Sequence, residues 1–329
     1  MTGIFRQKAP GNIILLIIVG VLLKLPVFFS SKGFIIKDSD SDLYRYLVSF
    51  IQQNSGDSAF VFASLAFILN ILIAFILVNF TNTDRFVNKA NYLIGMAYIL
   101  ITSFLPAFNL FSSNLLASVL MLLTFRLLFR SYHVGSAKSH MFNAGLLISV
   151  ASLLFLPSII FLLWGFIALL VLRPFRITEW IILLLGIIMP YYFYAAYLFL
   201  TDNFNVPEYF FHLSFISTKI SLSLWHAGAL FLLLAPLLAG FYYVQINADK
   251  MLAHIRKGWY LFLWYLVIAV LIALFEVDNS FENIVPILVP VAAFHGYGYL
   301  NTEVKQFPLI AFWVTAAFII TAQLYSQIW

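Results

Sequence analysis

The sequence contains no cysteine among its 329 residues, and only 9% of them are charged. The missing thiols exclude disulfides, thiolate nucleophiles, iron–sulfur clusters and cysteine-based zinc sites. The shortage of charge, against roughly 25% in ordinary soluble domains, leaves too little polar surface to cover a fold that stands in water. A soluble enzyme, a disordered chain and a disulfide-stabilised scaffold are therefore excluded.

What the sequence has in abundance is apolar: 63% of its residues are hydrophobic and the mean hydropathy is +1.00. Because a bilayer core requires about 20 predominantly apolar residues per helix, the apolar stretches predict eleven transmembrane helices. They lie near 12–30, 59–80, 91–108, 113–130, 142–156, 158–172, 178–200, 224–245, 258–276, 283–300 and 307–326. We expect an all-α, polytopic integral-membrane helix bundle that forms a single transmembrane domain over residues 1–329.

The apolar stretch 142–172 needs its own interpretation because it contains Pro157 in its middle. Proline removes a backbone donor and clashes with the preceding helical turn. A single helix of this length would overshoot the hydrocarbon by about 15 Å. The sequence therefore predicts two short helices here, although one long, kinked helix is the alternative.

Lysine and arginine residues predict the orientation. With a cytoplasmic N-terminus, thirteen of them lie on the cytoplasmic side, four lie outside and one, Lys24, lies within the first span. The acidic residues distribute the other way, nine outside and four inside. The positive-inside rule then predicts a cytoplasmic N-terminus and an external C-terminus. The first apolar stretch lacks a small-x-small cleavage site, so we interpret it as an uncleaved anchor.

The predicted first external loop, residues 31–57, carries an acidic run and then an amphipathic pattern. Leu43, Leu47, Phe50 and Ile51 recur at helical spacing and predict a helix that lies in the membrane interface.

Three acidic residues stand at the start of this helix: Asp38, Asp40 and Asp42. In the functional interpretation one of them is a catalytic general base, or they bind a divalent metal together, because hard cations prefer oxygen ligands. In the structural interpretation they cap the helix, since acids suit a helix N-terminus. The spacing does not choose among the three.

Other charged residues are secondary candidates. Lys24 either extends its ammonium to the outer surface or binds a lipid phosphate, and Arg45 is a second candidate for substrate binding. A second acidic set, Glu276, Asp278 and Glu282, follows the ninth predicted span. It is either a solvated turn or the partner of the first loop, if the two loops meet.

The architecture resembles the integral-membrane glycosyltransferases of the C-type fold. The resemblance rests on the odd number of spans, the cytoplasmic N-terminus, and acids in a first external loop that precede an interfacial helix. It implies a polyprenyl-phosphate sugar donor and an acidic base or metal ligand among Asp38, Asp40 and Asp42. The first loop, about 27 residues long, is shorter than in typical members, and we expect no large C-terminal soluble domain.

A second resemblance covers Asn109 to Pro190, which contains SSNLLASVLMLLTFRLLFRSY, MFNAGLLISVASLLFLPSIIFLL and RPFRITEW. This segment is similar to a family of polytopic inner-membrane proteins from Bacteroidota-type bacteria. The resemblance implies a multi-pass protein of the bacterial inner (cytoplasmic) membrane and implies no reaction.

Three functions follow in order of preference. The first is a glycosyltransferase that uses a polyprenyl-phosphate sugar. The second is a non-catalytic membrane subunit of a secretion or envelope-assembly complex. The third is a transporter, which usually places ionisable groups at the membrane midplane and often shows internal repeats. The expected partners are the lipid bilayer, a polyprenyl-phosphate lipid and other membrane proteins, with no nucleic acid.

Overall fold

The computed structural model describes residues 2–29, 33–37, 40–55, 58–202, 224–275, 281–304 and 306–325. In this part of the chain every regular element is an α- or 3-10 helix, and strand-like pairing is limited to isolated bridges. The α-helices are α1 (Thr2–Phe5), α2 (Pro10–Phe28), α3 (Asp42–Ser55), α4 (Ala59–Thr83), α5 (Leu93–Thr102), α6 (Ser113–Arg130), α7 (Lys138–Leu154), α8 (Phe161–Leu172), α9 (Ile177–Leu200), α10 (Leu224–Asn247), α11 (Ala253–Phe275), α12 (Val285–Asn301) and α13 (Phe307–Tyr325). The predicted all-α class is confirmed.

Each of the eleven predicted apolar segments contains a helix. Eight of the described helices, α2, α4, α6 and α9 to α13, are long and apolar enough to cross a membrane, some of them together with an adjoining 3-10 turn. The others, α5, α7 and α8, have 10, 17 and 12 residues. At 1.5 Å per residue they span about 15, 26 and 18 Å, less than the roughly 30 Å of a hydrocarbon core. A count of eleven crossings therefore stays a prediction.

The helical segment is interrupted at Pro157, as expected. Helix α7 ends at Leu154, a 3-10 turn covers Leu156–Ile160, and α8 begins at Phe161. The Trp164 indole donates a hydrogen bond to the carbonyl of Leu261, 3.1 Å away, and attaches α8 to α11. The prediction of two short helices is confirmed.

Helix α12 lies at the centre of the bundle. In the most apolar 18-residue stretch of this segment 83% of the residues are buried. The corresponding share is 22% in α9 and in α10, which lie at the periphery. Pro286 stands in its first turn, where the missing N–H has no intrahelical partner to lose, and Pro290 lies further inside the helix. Both prolines are buried, so α12 is a packing helix at the core.

Glycine allows α10 to approach α12 closely. A Cβ at Gly240 would lie 2.0 Å from the Phe294 carbonyl oxygen, which means that the two backbones are almost in contact. Small residues at helix–helix contacts are typical of membrane proteins, where packing and not water expulsion holds helices together.

The amphipathic segment of the first loop is helical, as predicted, and packs on α7. Tyr44 and Val48 are fully buried, whereas Phe50 is 57% exposed. The buried face is therefore centred one position away from the predicted one. Leu43, Leu47 and Ile51 flank it as half-buried contacts. Its position in the membrane interface stays a prediction.

Candidate functional site

The first loop lies against the ends of α6 and α7. Its backbone forms a parallel bridge between Phe34 and Phe111 and an antiparallel bridge between Asp40 and Phe155. The Tyr44 hydroxyl lies 3.0 Å from the Phe111 carbonyl oxygen, to which it donates. The described part of this loop is thus attached to the bundle at several points, and side chains on it have defined positions.

Among the described acidic residues of this loop, Asp40 is the one that the attachment buries. It is 6% exposed, and both of its carboxylate oxygens accept hydrogen bonds. One oxygen accepts from the Ser113 hydroxyl at the start of α6, and the other accepts from the Lys37 backbone N–H at 2.8 Å. The Asp40 carbonyl accepts from Arg45 Nε at 3.3 Å.

Burial dominates the ionisation of this carboxyl. Removal from water raises the pKa of Asp40 above its usual value, because the charged form is the one that loses hydration. The hydrogen bonds from Ser113 and from the Lys37 backbone, and the positive charges of Lys37 and Arg45, act in the opposite direction and are smaller. Asp40 is therefore a weaker acid than an exposed aspartate.

Lys37 joins this loop to the start of α12. Its ammonium lies 3.3 Å from Glu282 Oε2 and also donates to Asn283 Oδ1. The same amide oxygen accepts from Asn114 Nδ2 at 2.9 Å. We call this set the polar cluster: Lys37, Asp40, Ser113, Asn114, Glu282 and Asn283. All six side chains are at most 7% exposed.

The two loops that the sequence suggested as partners do meet. Glu282 contacts Lys37 across 245 positions of the chain. The other two acids of its set, Glu276 and Asp278, lie outside the described residues. The neutral members Ser113, Asn114 and Asn283 were missed. Their only signal is that they are polar residues at the start of apolar spans, which is equally typical of helix caps.

The remaining acidic candidates differ from Asp40. Asp38 lies outside the described residues. Asp42 is exposed in the first turn of α3, where a negative charge suits the helix dipole, and the Tyr194 hydroxyl lies 3.4 Å from its Oδ2. Asp42 therefore fits the capping interpretation, and of the two described aspartates Asp40 is the one that belongs to the buried polar cluster.

Arg45 is exposed on α3, one turn beyond Asp42. Its guanidinium donates to the carbonyl oxygens of Asp40 and Lys37, at 3.3 and 3.0 Å. It places a positive charge beside Asp40 and stabilises the turn of the first loop.

Lys24 lies in a separate buried group. Its ammonium donates to Thr102 Oγ1 at 2.9 Å and to Asn109 Oδ1, and the residue is only 1% exposed. Asn109 in turn donates to the Thr102 carbonyl at 2.8 Å. Of the two interpretations of Lys24, the one in which its side chain extends to the surface is wrong, because the residue is buried and its nitrogen is hydrogen-bonded inside the protein. Its assignment to substrate binding stays a prediction.

The cluster does not favour a resident divalent metal. Within the described residues, no group of three or more histidine, aspartate and glutamate side chains is arranged to hold one. Two buried oxygens, Asn114 Oδ1 and Glu282 Oε2, lack a hydrogen-bond donor there. However, the Lys37 ammonium already lies 3.3 Å from that carboxylate oxygen and supplies the positive charge a cation would bring. We therefore derive no step through a metal.

A second buried ion pair, which we call the Arg173 clamp, lies elsewhere. The Arg173 guanidinium donates to both carboxylate oxygens of Glu179, at 2.8 and 2.9 Å. It also donates to the carbonyl oxygens of Ser131 and Val134, the latter at 2.7 Å. The clamp ties the α6–α7 connection to the start of α9.

These features define the class of the protein. The chain is an all-helical, multi-pass integral membrane protein whose most distinctive site is a buried polar cluster between its first loop and α12. No protein-family model, curated protein or solved structure matches the chain. Its function therefore has to be argued from its own geometry.

Proposed function

We propose that the protein is a glycosyltransferase that takes sugar from a polyprenyl-phosphate donor at the outer face of the bacterial inner membrane, with Asp40 as general base. The observation that carries the proposal is that the Asp40 carboxyl is buried, and this burial raises its pKa. A general base works best when its pKa lies near the operating pH, and a raised carboxyl pKa moves toward that range. Buried ionisable groups in membrane proteins are typical of functional sites.

The chemistry assigns a role to each charge. Asp40 takes the proton of the acceptor hydroxyl while that oxygen forms a bond to the anomeric carbon of the sugar. The bond from this carbon to the phosphate oxygen breaks, and polyprenyl phosphate leaves with the electron pair. In this proposal Arg45 and Lys37, whose positive charges act on Asp40, stabilise the departing phosphate. The predicted interfacial position of α3 would bring them to the level of the lipid head group.

A second function is a non-catalytic membrane subunit of a secretion or envelope-assembly complex. It is favoured by the way the cluster is enclosed: both oxygens of Asp40 are occupied by Ser113 and Lys37. Two cavities in the described part of the chain are lined mostly by apolar side chains, and neither includes a residue of the cluster. In this function the cluster serves to attach the first loop to the bundle.

The test is an assay of the purified protein in lipid vesicles with a panel of labelled polyprenyl-phosphate sugars. We expect release of polyprenyl phosphate, and we expect Asp40→Asn to reduce its rate by about 10²- to 10⁴-fold, the usual contribution of a general base. Asp42→Asn is the matched control, because it removes a neighbouring charge that is exposed, and it should retain the rate.

Absence of release by the unmodified protein with every donor in the panel, or equal rates for Asp40→Asn and Asp42→Asn, would overturn the proposal. The second function predicts instead that extraction in mild detergent recovers stoichiometric partner subunits.

A further inference from the structure

An apolar groove runs along the bundle between α2 and α4. Its volume is about 260 Å³, and eight of its nine lining residues are aliphatic or phenylalanine. Ile13 and Ile17 of α2 form one wall, and Leu72 and Phe75 belong to the other. Tyr92, just before α5, is the one lining residue whose side chain has a polar atom.

The groove lies beside a contact between the two helices. At Gly20 the two helices are close, since a Cβ there would lie 3.4 Å from Ile71 Cδ1. The groove uses α2 residues on the N-terminal side of that contact. Ile17, Leu72 and Phe75 remain 36%, 39% and 48% exposed. In a protein that crosses a membrane, an open apolar surface of this kind is filled by hydrocarbon.

Two lysines lie near the Tyr92 residue of the groove. The Tyr92 backbone N–H donates to the Phe5 carbonyl at 2.8 Å, which joins the chain before α2 to the chain before α5. Lys8 is three residues from Phe5, and Lys89 is three residues from Tyr92, so each backbone position lies within about 11 Å of this hydrogen bond. Both lysines are exposed. Asp84, the nearest acidic residue in sequence to Lys89, is paired with Arg130 at 3.4 Å.

We infer that this groove binds one acyl chain of an anionic glycerophospholipid, whose head group contacts Lys8 and Lys89. The apolar walls match the acyl chain, and the two ammonium groups match a negatively charged head group at the membrane surface. A zwitterionic phospholipid would fill the groove equally well but would gain little from the lysines. This inference is independent of the proposed reaction, because the lining residues include no member of the polar cluster.

The experiment is native mass spectrometry of the purified full chain with added phosphatidylglycerol or phosphatidylcholine of identical acyl chains. A lysine near the membrane surface contributes about fivefold in affinity for an anionic lipid. We therefore expect phosphatidylglycerol to be retained preferentially, and Lys8→Gln/Lys89→Gln to remove most of the preference. Lys138→Gln/Lys250→Gln is the matched control, because it removes two exposed lysines away from the groove, and it should keep the preference.

A second variant tests the groove itself. Leu72→Trp places a larger side chain in the groove and should lower retention of both lipids, whereas Ile181→Trp, on the 50% exposed position of α9, should not. Equal retention of the two lipids by the unmodified chain would overturn the inference. So would equal retention by the two tryptophan variants, or a dimer that Leu72→Trp dissociates, since a second copy would then cover the groove.

Discussion

The polar cluster and the Arg173 clamp both bury a cation beside a carboxylate, but they are built differently. The clamp joins residues six positions apart, and both oxygens of Glu179 accept hydrogen bonds from one guanidinium. The cluster joins Lys37 to Glu282, 245 positions apart, with the ammonium 3.3 Å from Glu282 Oε2. In the described part of the chain it leaves Asn114 Oδ1 without a hydrogen-bond donor. A local, doubly hydrogen-bonded pair is typical of a structural device. A buried polar atom without a partner is uncommon in folded proteins, and a catalytic role is one explanation for it.

Helix α6 connects the two regions. Its first residue, Ser113, donates to Asp40, and Ser131, just after its end, accepts from Arg173. Eighteen residues of helix measure about 27 Å, so the cluster and the clamp lie at opposite ends of the bundle.

The largest expected effect is all-or-none labelling of single introduced cysteines. Because the chain has no native cysteine, the labelling signal has no background. Asn54→Cys, on the exposed side of α3, should react with a membrane-impermeant maleimide added outside intact cells. Gly135→Cys, beside the clamp and with open space around its Cβ, should react only after permeabilisation. Labelling of both positions from one side would contradict a transmembrane separation of the two regions.

Breaking the clamp should give the largest loss of stability. Glu179→Ala leaves the Arg173 charge buried and should lower the free energy of unfolding by about 3–5 kcal/mol, measured by denaturant titration in mixed micelles. Glu303→Ala, which removes an exposed carboxylate, is the control and should have little effect. The double variant Arg173→Met/Glu179→Leu should lose less than either single variant. A larger loss in the double variant would show that the ion pair itself stabilises the fold.

The corresponding change in the cluster is Glu282→Gln, which keeps the side-chain shape and removes the charge beside Lys37. The amide oxygen introduced here can still accept from the ammonium, as Asn283 does, whereas Glu179→Ala removes both acceptor oxygens. We therefore expect a smaller loss of about 1–3 kcal/mol. Glu303→Gln is the matched control. A loss as large as that of Glu179→Ala would remove the distinction between the two regions.

The attachment of the first loop to the end of α7 should contribute less to the free energy of unfolding. Ser41 donates to the carbonyl oxygens of Leu153 and Leu154, the latter at 3.0 Å. Ser41→Ala should therefore lower the free energy of unfolding by about 1 kcal/mol. Ser49→Ala, which removes an exposed hydroxyl bonded within its own helical turn, should change it little. Equal values for the two variants would show that this attachment does not stabilise the loop.

The smallest effect concerns pH. Because burial raises the pKa of Asp40, the folded state holds this proton at a pH where the unfolded chain, with a pKa near 3.8, has lost it. The contribution of Asp40 to stability is thus fully present below 3.8 and is lost as the pH rises through the folded-state pKa. We therefore compare the melting temperatures of the unmodified chain and of Asp40→Asn. The first minus the second should decrease as the pH rises from 3.8 through the folded-state pKa, and then stay constant. An increase would mean that Lys37 and Arg45 outweigh burial.

Much of the helical arrangement could be predicted because its cause is local. Hydropathy alone located a helix in all eleven apolar segments, and Pro157 located the break between α7 and α8. The amphipathic pattern predicted α3, although its buried face is centred on Tyr44 and Val48. The polar cluster was predicted only in part, since Asp40 was one of three equivalent candidates and Asn114 and Asn283 carried no distinguishing pattern.

The amino-acid sequence by itself determined that this protein is helical and suited to a lipid environment. Long apolar runs and a low content of charge are properties of the sequence and do not depend on which helices pack together. Only the tertiary structure decided that Asp40 is buried, that Lys24 stays inside, and that Lys37 meets Glu282. Those outcomes depend on which helix ends come together, and burial of a charge is a property of the assembled surroundings and not of the residue.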